Sequence, residues 1–421
     1  MTRINIDVHQ VARIEGHGNI VLKANNGSVE EIRWEVPESP RFFEAMLRGR
    51  NWDDVAHIAS RICGICAVAH HLVSLQATEA AFGVILSPQT KRLRQLLYDA
   101  EVIQSHVLHA YFLVAPDLLG VSSVLPLAAT HKPVVLRALM LKKLANDLAD
   151  AICGRKVHPI SCVVGGFSKL PNPDTLWSFR EKLASVIPDI DETIALFSKL
   201  TLPDFKRETE YICLRDKSQY AFLSGDIYSS DTGAVPVENY LSITNEFCLP
   251  HSTAKFTKHR RDSYMVGALA RFNNDFSQLS NKAREAAEKL RIKAPNHNPY
   301  MITAAQLVET VHCVEEAIGT IDEILKTGIK PEEPLVTPRA GRGIAAVEAP
   351  RGILFHDYTY DEHGRIVSAN CIIPTNQNHS NIQKDMDALA PALLQKTEPE
   401  IRLALEMLVR AYDPCVSCST H

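Results

Sequence analysis

The sequence has no long apolar run, no large charge excess and no secretory leader. No stretch approaches the ~20 apolar residues that a membrane-spanning helix needs. The N-terminus, MTRINIDVHQ, lacks the apolar core and cleavage site of a signal peptide. The formal net charge of -4 gives no reason to expect nucleic acid or an anionic membrane as a partner. We therefore expect a cytoplasmic protein without a direct membrane span, unless a partner chain exports it or binds it to a membrane.

Internal repeats, low-complexity tracts and flexible linkers are also missing. At 421 residues the chain exceeds the ~250–300 residues at which single cores usually stop growing, so one large unit and two intimately packed units are both possible. Because two related cysteine pairs stand at opposite ends of the chain, we expect a single domain over residues 1–421 that folds around one site.

Residue patterns predict an α+β fold that is mainly helical, with small β regions. Strand-like alternation over 1–36, interrupted by an Asn-Asn-Gly turn signal, predicts an N-terminal antiparallel sheet. Three- and four-residue apolar steps predict a bundle of long helices as the core, over 88–330. The region 337–378 is punctuated by Gly and Pro and looks mixed, and a C-terminal helix leads into the metal motif within 397–421.

The individual helices follow from the apolar spacing and from proline and glycine at the ends. The region 203–265 has no clear pattern, whereas 41–83 looks helical around the first cysteine pair. The further predicted helices are 88–114, 133–153, 173–199, 275–292, 299–327 and 397–412.

Four of the ten cysteines form two Cys-x-x-Cys pairs, in RICGICAVAHH at 61–71 and DPCVSCSTH at 413–421. Each pair alone fits a closed structural zinc site or a thioredoxin-like redox pair. Zinc ribbons, however, keep both pairs close in sequence, whereas about 350 residues intervene here. A histidine follows each pair at similar spacing, and four soft thiolates suit zinc, copper(I), nickel or iron. The other six cysteines are typical of small core residues.

These two motifs resemble the signature motifs of the large subunit of [NiFe]-hydrogenases. Further blocks resemble that family in the same order: RIEGHG, RFFEAMLRGR, HPISCVVGG, APRGILFH and IIPTNQN. The phrase ESPRFFEAMLRGR is most similar to the cytosolic multimeric branch, whose members pass electrons to nicotinamide, a deazaflavin or a heterodisulfide-reductase partner. The resemblance implies reversible heterolytic cleavage of H2.

The resemblance also implies the metal ligands. Nickel would be bound by Cys63, Cys66, Cys415 and Cys418. The second cysteine of each pair would also bind iron, which would carry one carbon monoxide and two cyanides. A separate magnesium ion, or a similar ion such as iron, would be held by Glu44, His421 and the backbone carbonyl of Cys371.

Four residues would move or hold charge at the centre. Cys415 would accept the first proton, and Glu15 would relay it. Arg351 would act as a base or hold positive charge over the site, and Asp413 would hydrogen-bond to it. The alternatives are a strand glutamate paired with Arg13, a surface ion-pair arginine and an aspartate that only caps the turn.

Four more residues would surround the centre. His70 would donate a hydrogen bond to a bridging thiolate, and Thr375 would donate one to a cyanide. Pro350 and Pro374 would line the apolar pocket of the diatomic ligands. A satisfied structural histidine and a locally bonded turn threonine are the alternatives. The chain departs from membrane-linked relatives, because Gln104 or Ser105 stands where they carry an aspartate.

The remaining expectations concern partners. The chain has no cysteine set for an iron–sulfur cluster, so electrons would leave through an iron–sulfur small subunit and then flavin/NAD(P), deazaflavin or heterodisulfide-reductase modules. In the family a maturation endopeptidase removes a C-terminal extension after the last motif. A chain ending at His421 resembles the processed form, or was simply truncated there. The alternative functions are an H2 sensor, a non-catalytic paralogue and a structural zinc protein.

Overall fold

A three-stranded antiparallel sheet opens the fold in the computed structural model, which describes residues 3–421. Its strands are β1 (Arg3–Val8), β2 (Asn19–Asn25) and β3 (Ser28–Glu35). Asn26 and Gly27 both have positive φ, as the tight turn between β2 and β3 requires. The predicted N-terminal sheet and its turn are confirmed.

Helices make up most of the remaining chain. The first seven are α1 (Phe43–Leu47), α2 (Trp52–Ala59), α3 (Ala67–Phe82), α4 (Pro88–Leu108), α5 (Ala115–Leu118), α6 (Val124–Thr130) and α7 (Lys132–Cys153). A π-helical turn, His109–Val114, joins α4 to α5. The others are α8 (Pro173–Ser185), α9 (Ile187–Phe197), α10 (Ala268–Asp275), α11 (Asn281–Lys289), α12 (Ile302–Thr327), α13 (Pro374–Leu393), α14 (Glu398–Ala411) and α15 (Val416–Ser419).

Eleven further strands follow, and all but the last three are short. They are β4 (Cys162–Val163), β5 (Gly166–Phe167), β6 (Glu210–Arg215), β7 (Asp226–Ser229), β8 (Gly233–Val235), β9 (Asn245–Phe247), β10 (Phe256–Lys258), β11 (Tyr264–Met265), β12 (Gly341–Ala349), β13 (Gly352–Tyr360) and β14 (Ile366–Ile372). The last three form an antiparallel sheet in the order β12-β13-β14, and α3 packs against β12 and β13. Helix α4 packs between α7 and α12.

The structure confirms the α+β class and most of the predicted helices. The single helix predicted over 173–199 is instead two helices, α8 and α9. The helical backbone is interrupted at Val186, two residues before Pro188. The prediction over 275–292 is wrong at its start, since α11 begins only after the Ser280 cap. Helix α13 was not predicted.

The main hydrophobic core draws residues from nearly the whole described chain, from Ile4 to Cys418. This distribution supports a single domain over 1–421, which stays a prediction. No helix within residues 3–421 combines the length and the apolar character that a membrane crossing needs.

Candidate metal centre

The two cysteine pairs meet in the interior. The Sγ atoms of Cys63, Cys66, Cys415 and Cys418 all lie within 4.8 Å of one another, and all four residues are buried. Cys63 Sγ is 3.4 Å from Cys415 Sγ, and Cys66 Sγ is 3.7 Å from Cys418 Sγ. The structure therefore brings both ends of the chain to one four-sulfur site.

The first pair lies in the loop that ends at helix α3. Cys63 is extended, and Cys66 is the N-cap of α3. Two backbone N–H groups, of Ile65 and Cys66, donate to the Cys63 sulfur over 3.2 and 3.3 Å. Donors of this kind favour a thiolate. Hydrogen bonding with the Cys415 sulfur further lowers the pKa of Cys63 well below its ordinary value.

The chemistry of the donor set fits a soft metal ion. Burial raises the pKa of both Cys415 and Cys418 well above the ordinary value, since four thiolates cannot share a dry site without a cation. A bound metal ion would supply that positive charge and would keep the sulfurs deprotonated. No ring nitrogen or carboxylate joins the set within the described residues, so the four sulfurs would be its protein ligands.

The second pair is held by the N-terminal region. The Val416 N–H donates to the Glu15 carbonyl over 2.9 Å, and Glu15 pairs with Cys415 as a parallel β-bridge. Glu15 Oε2 also lies 3.1 Å from Cys415 Sγ and 3.1 Å from the Ser417 nitrogen. Glu15 is partly exposed, whereas Cys415 is buried. It does not pair with Arg13, which bonds Asp117.

Arg351 is buried above the sulfur site, which excludes the surface ion-pair alternative. Its Nη2 donates to Asp413 Oδ1 over 2.8 Å, and its Nε donates to the Asp413 carbonyl over 2.7 Å. Ser105 Oγ lies 3.5 Å from Arg351 Nη1, whereas Gln104 donates to the Ile65 carbonyl and accepts from Lys142. Ser105 is therefore the residue that faces the arginine.

Burial lowers the pKa of Arg351, but the charge of Asp413 and then of the cysteines outweighs this and raises it well above its ordinary value. The guanidinium therefore stays protonated. A protonated Arg351 supports the alternative in which it holds positive charge over the site, rather than the one in which it acts as a base.

A buried arginine fixes the backbone in front of Arg351. Arg271 donates to the carbonyls of Ala349 and Pro350 over 3.1 Å each, and pairs with Glu309 and Glu348 over 2.6 and 2.7 Å. Sequence reasoning missed this group, because its members come from two helices, a strand and the turn that follows the strand. The only available signal was the presence of charges within otherwise apolar helix and strand segments.

Glu101 is a second missed residue. Its carboxylate accepts from the N–H groups of Val68 at 2.6 Å and Ala69 at 2.9 Å, in the first turn of α3. A buried acceptor at a helix start satisfies donors that have no partner within the helix. Burial raises the pKa of Glu101 to about 8, although those two bonds oppose the shift. Glu101 thus anchors the turn that carries Cys66.

The remaining predicted neighbours are all buried. Thr375 Oγ1 accepts from the Cys415 N–H over 3.1 Å. The His70 ring makes no hydrogen bond to a thiolate among residues 3–421, and its Nδ1 has no hydrogen-bond partner there. Pro350 accepts from Arg271 through its carbonyl, and Pro374 starts helix α13. Burial lowers the pKa of His70 to about 4, so its ring is neutral.

Glu44 and His421 also meet. His421 Nε2 lies 3.6 Å from Glu44 Oε1, and its Nδ1 lies 3.1 Å from the Cys418 carbonyl. Glu44 Oε1 accepts from the Cys371 N–H over 2.8 Å. Since a strand residue turns its N–H and C=O to the same side, the Cys371 carbonyl also points away from β13, toward the side that holds Glu44.

The comparisons with known proteins agree with one another. Residues 41–134 and 250–421 match the family model described as nickel-dependent hydrogenase, and residues 3–39 match one described as HoxL-like. The chain is 34% identical over 419 residues to sulfhydrogenase 1 subunit alpha of Pyrococcus furiosus, covering 99% of this chain and 97% of that protein. It is 29% identical over 464 residues to the beta subunit of the NAD-reducing hydrogenase HoxS of Cupriavidus necator, covering 98% and 94%.

A solved structure gives the same result for the fold. The crystal structure of an NAD⁺-reducing [NiFe]-hydrogenase in the H2-reduced state superposes with a TM-score of 0.90 at 27% identity, and the match covers 100% of both chains.

Proposed function

The chain belongs to the nickel-dependent hydrogenase family as a large subunit, an oxidoreductase that acts on hydrogen, and we propose that it catalyses reversible heterolytic cleavage of H2 at a nickel–iron centre. The observation that carries the proposal is the cluster of four buried sulfurs within 4.8 Å, drawn from both ends of the chain. A partly exposed carboxylate on one side and a buried guanidinium on the other complete the site.

The four cysteines would hold nickel, and Cys66 and Cys418 would also hold iron with its carbon monoxide and two cyanides. When bound, this centre supplies a soft, electron-rich site at which H2 is polarised. The structure supports this assignment through the N–H groups that donate to the Cys63 sulfur and through the exclusion of water by burial.

Proton transfer would use Cys415 and Glu15. The sulfur and Oε2 are 3.1 Å apart, which is within the reach of direct proton transfer. Glu15 also accepts from the Ser417 N–H, which keeps its carboxylate turned toward the sulfur. From Glu15 the proton would pass to solvent or to a partner surface, because this side chain is partly exposed.

Arg351 would hold positive charge beside the open face of the centre, and Asp413 would orient it. Thr375 would donate to a cyanide, since its oxygen already accepts from the Cys415 N–H and its hydroxyl proton has no acceptor among residues 3–421. His70 would donate to a bridging thiolate once that thiolate carries metal, and Pro350 and Pro374 would line the pocket. The buried Nδ1 of His70 has no hydrogen-bond partner among residues 3–421. Because buried polar atoms are normally hydrogen-bonded, this supports a role in which the ring gains a partner.

A second ion, magnesium or iron, would bind Glu44, His421 and the Cys371 carbonyl. The Nδ1–H of His421 donates to the Cys418 carbonyl, so in the neutral ring the Nε2 lone pair faces the Glu44 carboxylate and is free to bind an ion. Two electron-pair donors that face each other across 3.6 Å fit a cation between them.

Electrons would leave through an iron–sulfur small subunit. The names of the relatives suggest that the final electron acceptor is NAD, or at least is not F420. These names favour a flavin/NAD(P) or heterodisulfide-reductase module for the next step over a deazaflavin module. A maturation endopeptidase would act on a precursor, and the complex would work in the cytoplasm.

The test is infrared spectroscopy of the purified complex in the region of metal-bound CO and CN⁻ vibrations, with nickel and iron counted on the same sample. One CO band, two cyanide bands and nickel are expected. An absence of these bands, with zinc instead of nickel, would refute the proposal and favour a structural metal site. H2 oxidation with an artificial acceptor then separates an enzyme from an H2 sensor, which would turn over little.

A further inference from the structure

The π-helical turn after α4 buries His109 completely, between helices α12 and α14. Its Nδ1 lies 2.5 Å from Gln306 Oε1, and its Nε2 lies 2.7 Å from the Arg410 carbonyl oxygen. A carbonyl oxygen can only accept a hydrogen bond, so Nε2 carries a proton. The charge on the ring therefore depends on which atom of the Gln306 amide faces Nδ1.

Asp413 fixes that orientation. The Gln306 Nε2 lies 3.3 Å from Asp413 Oδ2, and the other carboxylate oxygen accepts from Arg351 over 2.8 Å. The Gln306 NH2 group can only donate, and it is the atom that lies against the Asp413 carboxylate. The amide oxygen then faces His109, and Nδ1 must also donate.

We propose that His109 is a buried imidazolium, and that it positions Arg351 by fixing Gln306 and, through it, Asp413. Each link in this chain of three hydrogen bonds is directional. The ring cation fixes the amide, the amide NH2 binds one oxygen of Asp413, and the other oxygen binds the guanidinium. The effect on catalysis rests on the proposed function, whereas the protonation of the ring does not.

The location favours a cation. The Arg410 carbonyl belongs to the last turn of α14 (Glu398–Ala411), where the helix dipole is negative. The neighbouring charges are already paired: Arg410 with Asp117 and Glu406, and Arg13 with Asp117. On α12, Glu309 pairs with Arg271 and bonds His106, one turn before His109. Within the described residues no carboxylate faces the His109 ring directly. The two ring N–H groups donate instead to an amide oxygen and a backbone carbonyl oxygen.

His312 on α12 is a natural control. It is also buried, but its Nδ1 accepts from the Ser280 N–H over 3.1 Å, so only Nε2 can carry a proton. Burial also lowers the pKa of His312 to about 4. The two histidines should therefore be in different charge states in the same molecule.

The first test is neutron diffraction, or ¹⁵N NMR with labelled histidine, on the full-length protein at neutral pH. The expected result is two ring protons on His109 and a single one on His312. A single proton on His109 would overturn the inference. This readout is valid with or without hydrogenase activity, so its failure is distinct from a failure of the proposed function.

The second test uses the matured enzyme. His109→Gln and Gln306→Leu should each lower kcat by about 10–100-fold, the usual effect of losing an outer partner at a metal centre, with KM for H2 nearly unchanged. Both should also shift the CO and CN⁻ bands, because Arg351 moves relative to the centre. His312→Gln should leave kcat and the bands unchanged. Unchanged kcat and bands in a correctly folded Gln306→Leu variant would refute the positioning role, even if His109→Gln fails to fold.

Discussion

Cys415 Sγ lies 3.1 Å from Glu15 Oε2, and the same two residues pair as a parallel β-bridge. One short segment near the N-terminus thus does two things. Its backbone holds the C-terminal cysteine motif, and its side chain contacts one sulfur of the site. Because the backbone bonds do not depend on the Glu15 side chain, the two roles can be separated by substitution.

Glu15→Gln should abolish most H2 turnover while the centre stays assembled. The amide can still accept from the Ser417 N–H, but it cannot take a proton from Cys415. We expect a loss of about 10²-fold or more in H2 oxidation with an artificial acceptor. Metal content and the CO and CN⁻ bands should match the wild type.

Glu38→Gln is the matched control for this variant. Glu38 accepts from Ser417 Oγ over 3.4 Å and from the His17 N–H over 2.9 Å, yet it makes no contact with Cys415. Its turnover should remain close to that of the wild type. Equal losses in both variants would mean that the substitutions disturb the segment as a whole, and would contradict the proposed relay role of Glu15.

Arg351→Lys should lower kcat although the charge is kept. A lysine cannot donate to the Asp413 carbonyl and carboxylate together, as Nε and Nη2 of Arg351 do at 2.7 and 2.8 Å. We expect a fall of about 10–100-fold. The control is Arg342→Lys. Arg342 also donates two hydrogen bonds, to the two oxygens of Asp357, but this pair is partly exposed, and the substitution should have no effect on turnover. Full activity of Arg351→Lys would mean that Arg351 contributes only its positive charge.

A buried carboxyl pair should make stability depend on pH. Gln95 Nε2 donates to Asp99 Oδ1 over 2.9 Å and to Glu316 Oε2 over 3.1 Å, between α4 and α12. Burial raises the pKa of both acids, and that of Glu316 to about 7. The folded state therefore keeps a proton that the unfolded chain has already lost. Stability from this source is complete below the unfolded pKa near 4.5 and is lost as pH rises through about 7.

Urea unfolding across pH tests this prediction. Glu316→Gln should make the decline between about pH 5 and about pH 8 smaller by roughly 1–3 kcal/mol, while the part due to Asp99 remains. Glu323→Gln, on the same helix but exposed and paired with Arg92, should keep the decline. A wild-type curve that is flat over this range would contradict the assignment.

The cysteine site could be predicted because each half is a short local motif, and the long helices could be predicted because apolar spacing is local as well. Helix α13 could not. It begins Pro-Thr-Asn-Gln-Asn-His-Ser-Asn, a composition typical of loops. These amides bond to backbone groups elsewhere: Gln377 to Ile353, Asn378 to Val266 and Asn376 to Ser419. Such partners are set by the fold and leave no periodic signal.

The same reason explains the missed residues around the site. Arg271, Glu101 and Gln306 act through partners on other elements, so nothing near them in the sequence indicates the contact. In contrast, Glu15 and Arg351 stand inside motifs that resemble a known family. Their burial and partners were still open, and only the structure distinguishes a buried Arg351 from a surface one.

The proposed second ion should tie the C-terminal cysteine motif to the rest of the fold. His421 contacts the Cys418 carbonyl through Nδ1 and faces Glu44 through Nε2, while Glu44 accepts from Cys371 on β14. An ion that binds only the folded state adds stability of about 2–3 kcal/mol when its concentration is ~100 times its Kd. Glu44→Gln keeps an acceptor for the Cys371 N–H but removes the charge. The variant should therefore lose the ion selectively.

Metal analysis and chelation give the readout for Glu44→Gln. The variant should lack the magnesium or iron of the second site and should keep its nickel. A chelator should lower the unfolding midpoint of the wild type and leave that of the variant unchanged. Glu246→Gln, which removes a partly buried carboxylate paired with Lys255 over 2.8 Å, should bind and respond like the wild type. If Glu44→Gln retains the ion, the histidine and the carbonyl suffice, and Glu44 serves only as the acceptor for Cys371.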